Sequence, residues 1–311
     1  MIFLTDQMLI HIKQKAGITA GTVGLTDADI LNIATRRLQI DIANEILDKK
    51  EEYLLTGQAI PLVANQDYYR IPYRSLGSTI RHIYYVSGNG TARFPLNRMY
   101  HEDLESVPPS LNYSEPRAFL LEGSNIRLIP SVGSTANGTI YIEYFFRPNQ
   151  LVSTIYCRQI ASLDIVNQIA TFTSIPSQLA SGTTFDIINH ISGNEVIQFD
   201  VTGTVTSNTI TFTTPLSNFI SVGNWVALAQ QSPVPNIPEE FQQLLLAYTV
   251  LDIEQIRGSQ SGIQVAQQDI MALRKAVSDL TRNRVQSKPE LVIPRNPIAR
   301  GAASGKRWGR W

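Results

Sequence analysis

Residues 152–234 form a long stretch of the chain that is almost free of charge. Its 83 residues contain five formally charged side chains, whereas charged residues make up 17% of the whole sequence. The five are Arg158, Asp164, Asp186, Glu195 and Asp200. Strands are predicted at 163–172, 184–190, 195–201, 209–213 and 225–230, with turn residues between them. This spacing is typical of a small antiparallel β-sandwich or barrel.

Prolines flank this stretch on both sides. Pro148 precedes it, and a proline-rich run, SPVPNIP, occupies residues 232–238. The segments before and after carry helical patterns and longer strands. We therefore interpret 152–234 as an inserted β-domain, with residues 1–151 and 235–285 as the two parts of the body.

A long amphipathic helix is predicted from Thr26. Thr26 and Asp29 resemble a capping box, and apolar residues recur every four positions from Ile30 to Ile46. Its length is about 24 residues, or roughly 36 Å. From residue 59 the pattern changes to strands. Residues 139–147 are largely apolar on both faces, which predicts a central strand.

Two helices are predicted after residue 238. The first is apolar nearly all round and is expected to be buried on several sides. The second has a packing seam with alternating spacings of three and four residues, and the short link between them predicts an antiparallel pair. The seam residues are Ile263, Ala266, Ile270, Leu273, Val277 and Leu280. The predicted fold class is α+β: a helical body with a long N-terminal helix and a C-terminal antiparallel helix pair, a β-region, and the inserted β-domain.

No arrangement of residues in the sequence predicts catalysis. The densest ionisable cluster, His101-Glu102-Asp103, is expected to be a solvated turn or the start of a helix. The single cysteine, Cys157, is expected to be a small core residue. It also excludes an internal disulfide, and no apolar run is long enough for a membrane span. We predict no enzyme activity, no metal site and no cofactor.

Residues 286–311 form a basic segment rich in proline and glycine. From residue 282 onward, eight basic residues face one acid, a net charge of +8 − 1 = +7. An extended arm is predicted, because proline and glycine disfavour a helix. Such an arm is a solvated tail, a nucleic-acid-binding segment, or an arm that docks on a partner protein. Its aliphatic residues favour docking. The residues expected to dock are Arg295, Arg300, Lys306, Arg307, Trp308, Arg310 and Trp311.

The order of these elements resembles that of the head-to-tail adaptor (connector) proteins of tailed bacteriophages. The resemblance lies in seven stretches and their order, without a catalytic motif. They are 69–72 (YRIP), 80–86 (IRHIYYV), 95–104 (PLNRMYHEDL), 116–130 (PRAFLLEGSNIRLIP), 139–151 (TIYIEYFFRPNQL), 222–228 (VGNWVAL) and 237–241 (IPEEF).

The resemblance implies a structural virion protein, assembled in the host cytoplasm, that forms a homo-oligomeric ring of twelve copies. It implies a portal protein above, a tail or nozzle protein below, no membrane, and a DNA channel without sequence-specific binding. It also implies that the C-terminal arm reaches the portal. The insert is larger than minimal adaptors carry.

Two alternatives stay open at this point. One is another phage tail or baseplate structural protein. The other is a carbohydrate-binding or carbohydrate-active protein that uses the insert as its binding module. The insert has one tryptophan, Trp225, and four acids, which disfavours the second alternative.

Overall fold

The computed structural model describes residues 4–18, 24–88, 90, 92–102, 115–130, 132–133, 137–189 and 195–281. The fold is mixed α+β, and its sheets are mainly antiparallel. The predicted fold class is therefore confirmed at this level. None of the described helices is long and apolar enough to cross a bilayer.

The described residues form six α-helices. They are α1 (Thr5–Lys15), α2 (Asp27–Arg37), α3 (Ala43–Lys50), α4 (Ser177–Ala180), α5 (Glu239–Arg257) and α6 (Gln260–Thr281). A π-helical turn, Leu38–Ile42, joins α2 to α3 without a break, and a 3-10 turn, Glu51–Leu54, follows α3. The predicted capping box is confirmed: the amide of Asp29 donates to Thr26 Oγ1 (3.2 Å), and the amide of Thr26 donates to Asp29 Oδ2 (2.9 Å).

Seventeen strands are described. They are β1 (Leu55–Pro61), β2 (Tyr68–Arg70), β3 (Ser75–Ser87), β4 (Arg93–Pro95), β5 (Asn97–Arg98), β6 (Ala118–Glu122), β7 (Asn125–Ile129), β8 (Gly138–Phe146), β9 (Gln150–Leu151), β10 (Arg158–Gln159), β11 (Ser162–Asp164), β12 (Ile169–Thr171), β13 (Thr184–Ile188), β14 (Val196–Thr206), β15 (Thr209–Phe212), β16 (Trp225–Leu228) and β17 (Gln231–Ser232). The sheet orders are β1-β8-β3-β4, β2-β7-β6-β5, β17-β9 and β10-β16-β13-β14-β15-β12-β11.

The largest core lies where the helices meet the first two sheets. Strand β8 pairs with β1 on one side and with β3 on the other, which confirms the prediction of a central strand. Its residues Ile140 and Ile142 are fully buried. Helix α5 contacts α1, α2 and α6 and contributes Phe241, Leu244 and Leu245 to the same core. Its burial on several sides explains why its sequence lacks a polar face.

The seven-stranded sheet curls into a half-barrel around a second core. Strand β14 pairs first with β13 and then, beyond Thr202, with β15, so it turns from one half of the sheet into the other. At the opposite side, the amide of Ile160 donates to the carbonyl of Asn224, just before β16, and the amide of Ala161 donates to the carbonyl of Thr171 in β12 (2.9 Å each). The run from β10 to β11 therefore joins the two ends of the sheet.

One predicted strand of this sheet is wrong. Residues 163–172 were expected to form a single strand, but they form β11 and β12 with a turn at 165–168. Asp164 makes the turn by accepting from the amide and the side-chain nitrogen of Asn167, at 3.0 and 2.7 Å. Such an Asx turn interrupts a strand without the glycine or proline that usually indicates a turn.

Candidate functional site

The residues most suited to chemistry do not form a reaction centre. His101 and Glu102 are both exposed, and Asp103 lies outside the described residues. Cys157 is a free, buried thiol, and burial raises its pKa to about 12. In the described parts of the chain, no three His, Cys, Asp or Glu side chains gather in a way that would hold a metal ion. The notable polar sites instead join separate parts of the protein.

Arg74 joins the body to the curled sheet through a buried network. Its side chain is 3% exposed. Nη2 lies 2.7 Å from Asp186 Oδ1 on β13 and 2.7 Å from Asp200 Oδ1 on β14. Nε donates to Asp200 Oδ2 (2.7 Å), and Nη1 donates to Asn149 Oδ1 (3.1 Å). The planar guanidinium thus bridges two strands of the curled sheet and the loop that precedes β9.

Asp186 is the acid at the centre of this network and is fully buried. Oδ1 accepts from Arg74 and from the amide of Asp200 (3.0 Å). Oδ2 accepts from Asn149 Nδ2 (2.7 Å) and from the amide of Gln230 (2.9 Å). Desolvation on burial raises the pKa of Asp186, while these donors oppose that shift by stabilising the ionised form. The carboxylate therefore depends on its partners to remain charged.

Asp200 occupies the more open side of the network. Burial alone would raise its pKa, but hydrogen bonds from Arg74 and Tyr73 outweigh this and leave the pKa below its ordinary value. Arg74 also stacks over Phe199, 4.9 Å from the ring centroid, and Phe199 packs on Phe146 of the body at 5.5 Å. Ion pairs and aromatic contacts therefore both connect Arg74 and Phe146 to the curled sheet.

Sequence reasoning did not identify this network. A signal was present: Asp186 stands between Phe185 and Ile187 in a predicted strand, and acids are rarely buried unless they are paired. The partner was not identifiable, because Arg74 is 112 positions away in the chain.

A second polar cluster holds the helices together. The ring of Tyr248 on α5 lies between two guanidinium groups, with Arg37 at 5.6 Å and Arg274 at 5.4 Å from its centroid. Its hydroxyl donates to Glu45 Oε1 (2.7 Å), which also accepts from Arg274 Nε (2.8 Å). Arg37 Nε donates to Asp252 Oδ2 (2.7 Å). Burial, and next the bond to Glu45, raise the pKa of Tyr248. The cluster links α2, α3, α5 and α6.

The predicted seam of α6 packs over most of its length. Three members are buried and two are half-buried against the core. They are Ala266, Ile270 and Val277, and Ile263 and Leu273. The expected packing of Leu280 is wrong, since it is 61% exposed, and Thr281 is buried instead. A helix with 3.6 residues per turn drifts away from a 3.5-residue seam, so the inward position after Val277 falls four residues later.

The other predicted site residues have no described position. Arg295, Arg300, Lys306, Arg307, Trp308, Arg310 and Trp311 lie outside the described residues, which end at Thr281. Their role stays a prediction.

Comparison with known families identifies the chain. The family model described as SU10 adaptor protein matches residues 11–168, which is 158 of the 311 residues. The chain belongs to the SU10 adaptor protein family. This confirms the resemblance to phage head-to-tail adaptors, and it indicates a structural adaptor and therefore a virion component. Within the Arg74 network, Arg74 and Asn149 lie inside the region matched to the SU10 adaptor family, whereas Asp186 and Asp200 lie beyond it. No curated protein matches the chain.

Proposed function

We propose that this SU10-family adaptor forms a homo-oligomeric ring of twelve copies that joins the portal to the tail. The ring continues the DNA channel, and DNA passes through it without sequence-specific binding. The observation that carries the proposal is the family match over residues 11–168. We expect no catalytic activity from such a structural protein.

Within each subunit we assign residues 1–151 and 235–285 to the adaptor body and 152–234 to an inserted β-domain. The curled sheet has a hydrophobic cluster of its own, which includes Phe185, Ile210 and Phe212. Helices α5 and α6 share the core of the body. The body would then consist of the long N-terminal helix, the β-region and an antiparallel pair formed by α5 and α6. The Arg74 network would hold the insert at a fixed angle to this body.

The C-terminal arm, residues 286–311, would dock on the portal. Its arginines suit bidentate bonds to carboxylates, and Trp308 and Trp311 suit pockets on a protein surface. Ordering an extended arm costs on the order of 1–2 kcal/mol per residue in backbone entropy. The contacts of the arm with the portal must offset that cost.

Truncation after Arg284 tests the role of the arm. We expect the truncated protein to keep its helical circular dichroism spectrum but to lose attachment to the portal in a sedimentation assay. Mass measurement of the full chain with and without the portal reports the copy number. Unchanged attachment after truncation would remove the arm from the mechanism.

Substitution of arginine by lysine distinguishes a docked arm from a DNA-binding arm. Lysine keeps the charge but loses the planar fork that binds a carboxylate through two parallel bonds. We expect Arg300→Lys together with Arg307→Lys to weaken portal attachment at constant salt. Contact with DNA phosphates depends mainly on charge and would survive this change.

The alternatives from the sequence make different demands. A different tail or baseplate protein would assemble without binding the portal, which the mass measurement detects. A carbohydrate-binding insert would need accessible acids near Trp225. Two of its four acids, Asp186 and Asp200, bind Arg74 at the junction instead, so no second function is proposed.

A further inference from the structure

Strand β1 has an outer edge without a partner strand. It ends the sheet β1-β8-β3-β4 and pairs only with β8. Among the described residues, no group outside β8 shares a backbone hydrogen bond with Thr56 through Ile60. Its sequence, LTGQAIP, carries no charge. Natural edge strands are usually protected by charges, bulges or a covering segment. A seven-residue edge without charged side chains therefore favours a covering strand.

A hollow of about 480 Å³ lies beside this edge. Residues 56–58 line one part of it, and residues 196–200 of β14 line another. Thr56, Gln58 and Ile60 point to the core side of the sheet, because their partners on β8 include the buried Ile140 and Ile142. Gln58 is nevertheless exposed. The core side of β1 is thus uncovered at the hollow.

The chain contains a short segment that matches this edge. Residues 291–293 are Leu-Val-Ile, and Pro289 and Pro294 enclose them. β-branched residues favour strands, and a proline cannot donate a ladder hydrogen bond, so a strand here is limited to residues 290–293. Alternation would place Leu291 and Ile293 on one face. On the core side of β1 that face would meet Tyr144, Val196 and Phe199, which line the hollow together with Arg74 and Asp200 of the buried network.

The three helices α3, α5 and α6 share a common level at Glu45. Tyr248 of α5 and Arg274 of α6 both donate to Glu45 of α3. Eight residues before Tyr248, about 12 Å along α5, Glu240 forms an ion pair with Lys50 at 3.3 Å. This pair marks the end of α3 that leads to β1.

The described chain ends at the same level. Thr281 lies seven residues beyond Arg274, about 10 Å further along α6. It therefore lies at the same end of the helices as Lys50, and the 3-10 turn Glu51–Leu54 connects α3 directly to β1. The nine Cα–Cα steps from Thr281 to Glu290 span up to about 30 Å. This length allows a strand of residues 290–293 to be placed along the edge of β1 in the same chain.

We propose that residues 290–293 add to the outer edge of β1 in the same chain as a parallel strand and fill the hollow beside β14. The segment enters from the Leu55 end and leaves at Pro61. The seven predicted portal-docking residues all follow Ile293, and the 18 residues beyond it span about 60 Å. The added strand anchors the base of the arm. Only the partner that the free end of the arm contacts, the portal, rests on the proposed function.

Hydrogen exchange in the full-length protein tests the added strand. Val292→Pro removes one amide and prevents the ladder from forming. We expect the outward amides of residues 56–60 to exchange at least tenfold faster in this variant. Ile298→Pro, the matched control outside the segment, should leave them unchanged. Equal exchange in the wild type and Val292→Pro, with the β8 amides protected in both, would overturn the proposal.

Disulfide trapping tests which chain supplies the strand. In full-length protein we would pair Gln58→Cys with a cysteine at position 291, 292 or 293 in turn. The buried Cys157 has a raised pKa and contributes little background. An intramolecular disulfide, seen as a faster-migrating monomer on a denaturing gel, is expected for one position. Absence of any cross-link, or only cross-linked dimers, would overturn the same-chain arrangement.

Truncation after Ile293 separates this proposal from the proposed function. It removes every predicted docking residue and keeps residues 290–293. We expect the amides of β1 to stay protected while portal attachment is lost. Protection that vanishes would contradict the added strand, whereas attachment that persists would contradict only the docking role of the distal arm.

Discussion

Replacement of Arg74 by methionine is expected to destabilise the protein strongly. Methionine keeps much of the apolar volume of arginine and removes its charge and its four donor bonds to Asp186, Asp200 and Asn149. Asp186, which is fully buried, would then lose the cation that keeps it ionised and would be left in a site built for a carboxylate. Removal of one partner from a buried ion pair costs about 3–5 kcal/mol. This corresponds to a fall in melting temperature of roughly 5–15 °C.

Arg127→Met is the matched control. Arg127 also lies in the β-region, also stacks over an aromatic ring (Tyr68, 5.7 Å), and pairs with Glu122 at 3.5 Å. Its side chain is 36% exposed, however, and an ion pair in such a position contributes about 0–1 kcal/mol. Both substitutions remove one positive charge, but only Arg74→Met removes it from a buried site. The difference between the two losses of stability therefore reports the effect of burial.

Scanning calorimetry of both variants and the wild type provides the measurement. Addition of Asp200→Asn to Arg74→Met should cost less than the sum of the two single changes, because the amide no longer leaves a second unpaired charge. If Arg74→Met loses less than about 1 kcal/mol, the loss expected for Arg127→Met, the network does not stabilise the junction and the reasoning from burial is refuted.

Three further predictions concern acid, the helix seam and the insert. Because the folded-state pKa of Asp200 is depressed, its contribution to stability is complete above its unfolded pKa of about 3.9 and is lost as the pH falls through the lower folded value. Acid melting curves should therefore fall more steeply below about pH 4 in the wild type than in Asp200→Asn, and parallel curves would disprove this. Ile270→Ala should cost about 2–5 kcal/mol in denaturant unfolding, while Leu280→Ala should cost less than about 0.5 kcal/mol; equal costs would contradict the observed seam. Deletion of residues 153–233 with a short linker should leave a folded helical body by circular dichroism, with lower stability because Arg74 loses both acids. Complete unfolding of that variant would show that the insert is not a separate unit.

Features that depend on neighbouring residues were predictable from the sequence. The capping box at Thr26 needs only two side chains three positions apart. The turn between β6 and β7 also has a local signal, because Gly123 has a φ of +60° there, a conformation that glycine adopts at little cost. The apolar pattern of residues 139–147 correctly predicted a central strand, because pairing on both sides excludes water from both faces.

The sequence pattern gave wrong predictions at two places, where a single side-chain hydrogen bond or the exact helical period decides the local structure. Asn167 closes a turn on Asp164 inside a run that otherwise alternates like a strand. Leu280 continues the spacing of the seam, but the straight helix has already rotated it away from the core. In both cases the residue types fit the predicted strand or seam, but the local backbone geometry places Asn167 in a turn and Leu280 on the exposed side of α6.

The sequence by itself determined most of the helical and strand segments, the charge-poor character of residues 152–234, and the basic composition of the arm, because hydrogen-bonding periods and charge are properties of short stretches. Only the tertiary structure decided that the sheet curls around its own core and that Arg74 meets Asp186 and Asp200. Those partners lie 112 and 126 positions from Arg74 in the chain. Contacts of this range depend on how whole elements pack, and the free energy of burying a charge favours an arrangement in which the buried Arg74 guanidinium meets its acceptors.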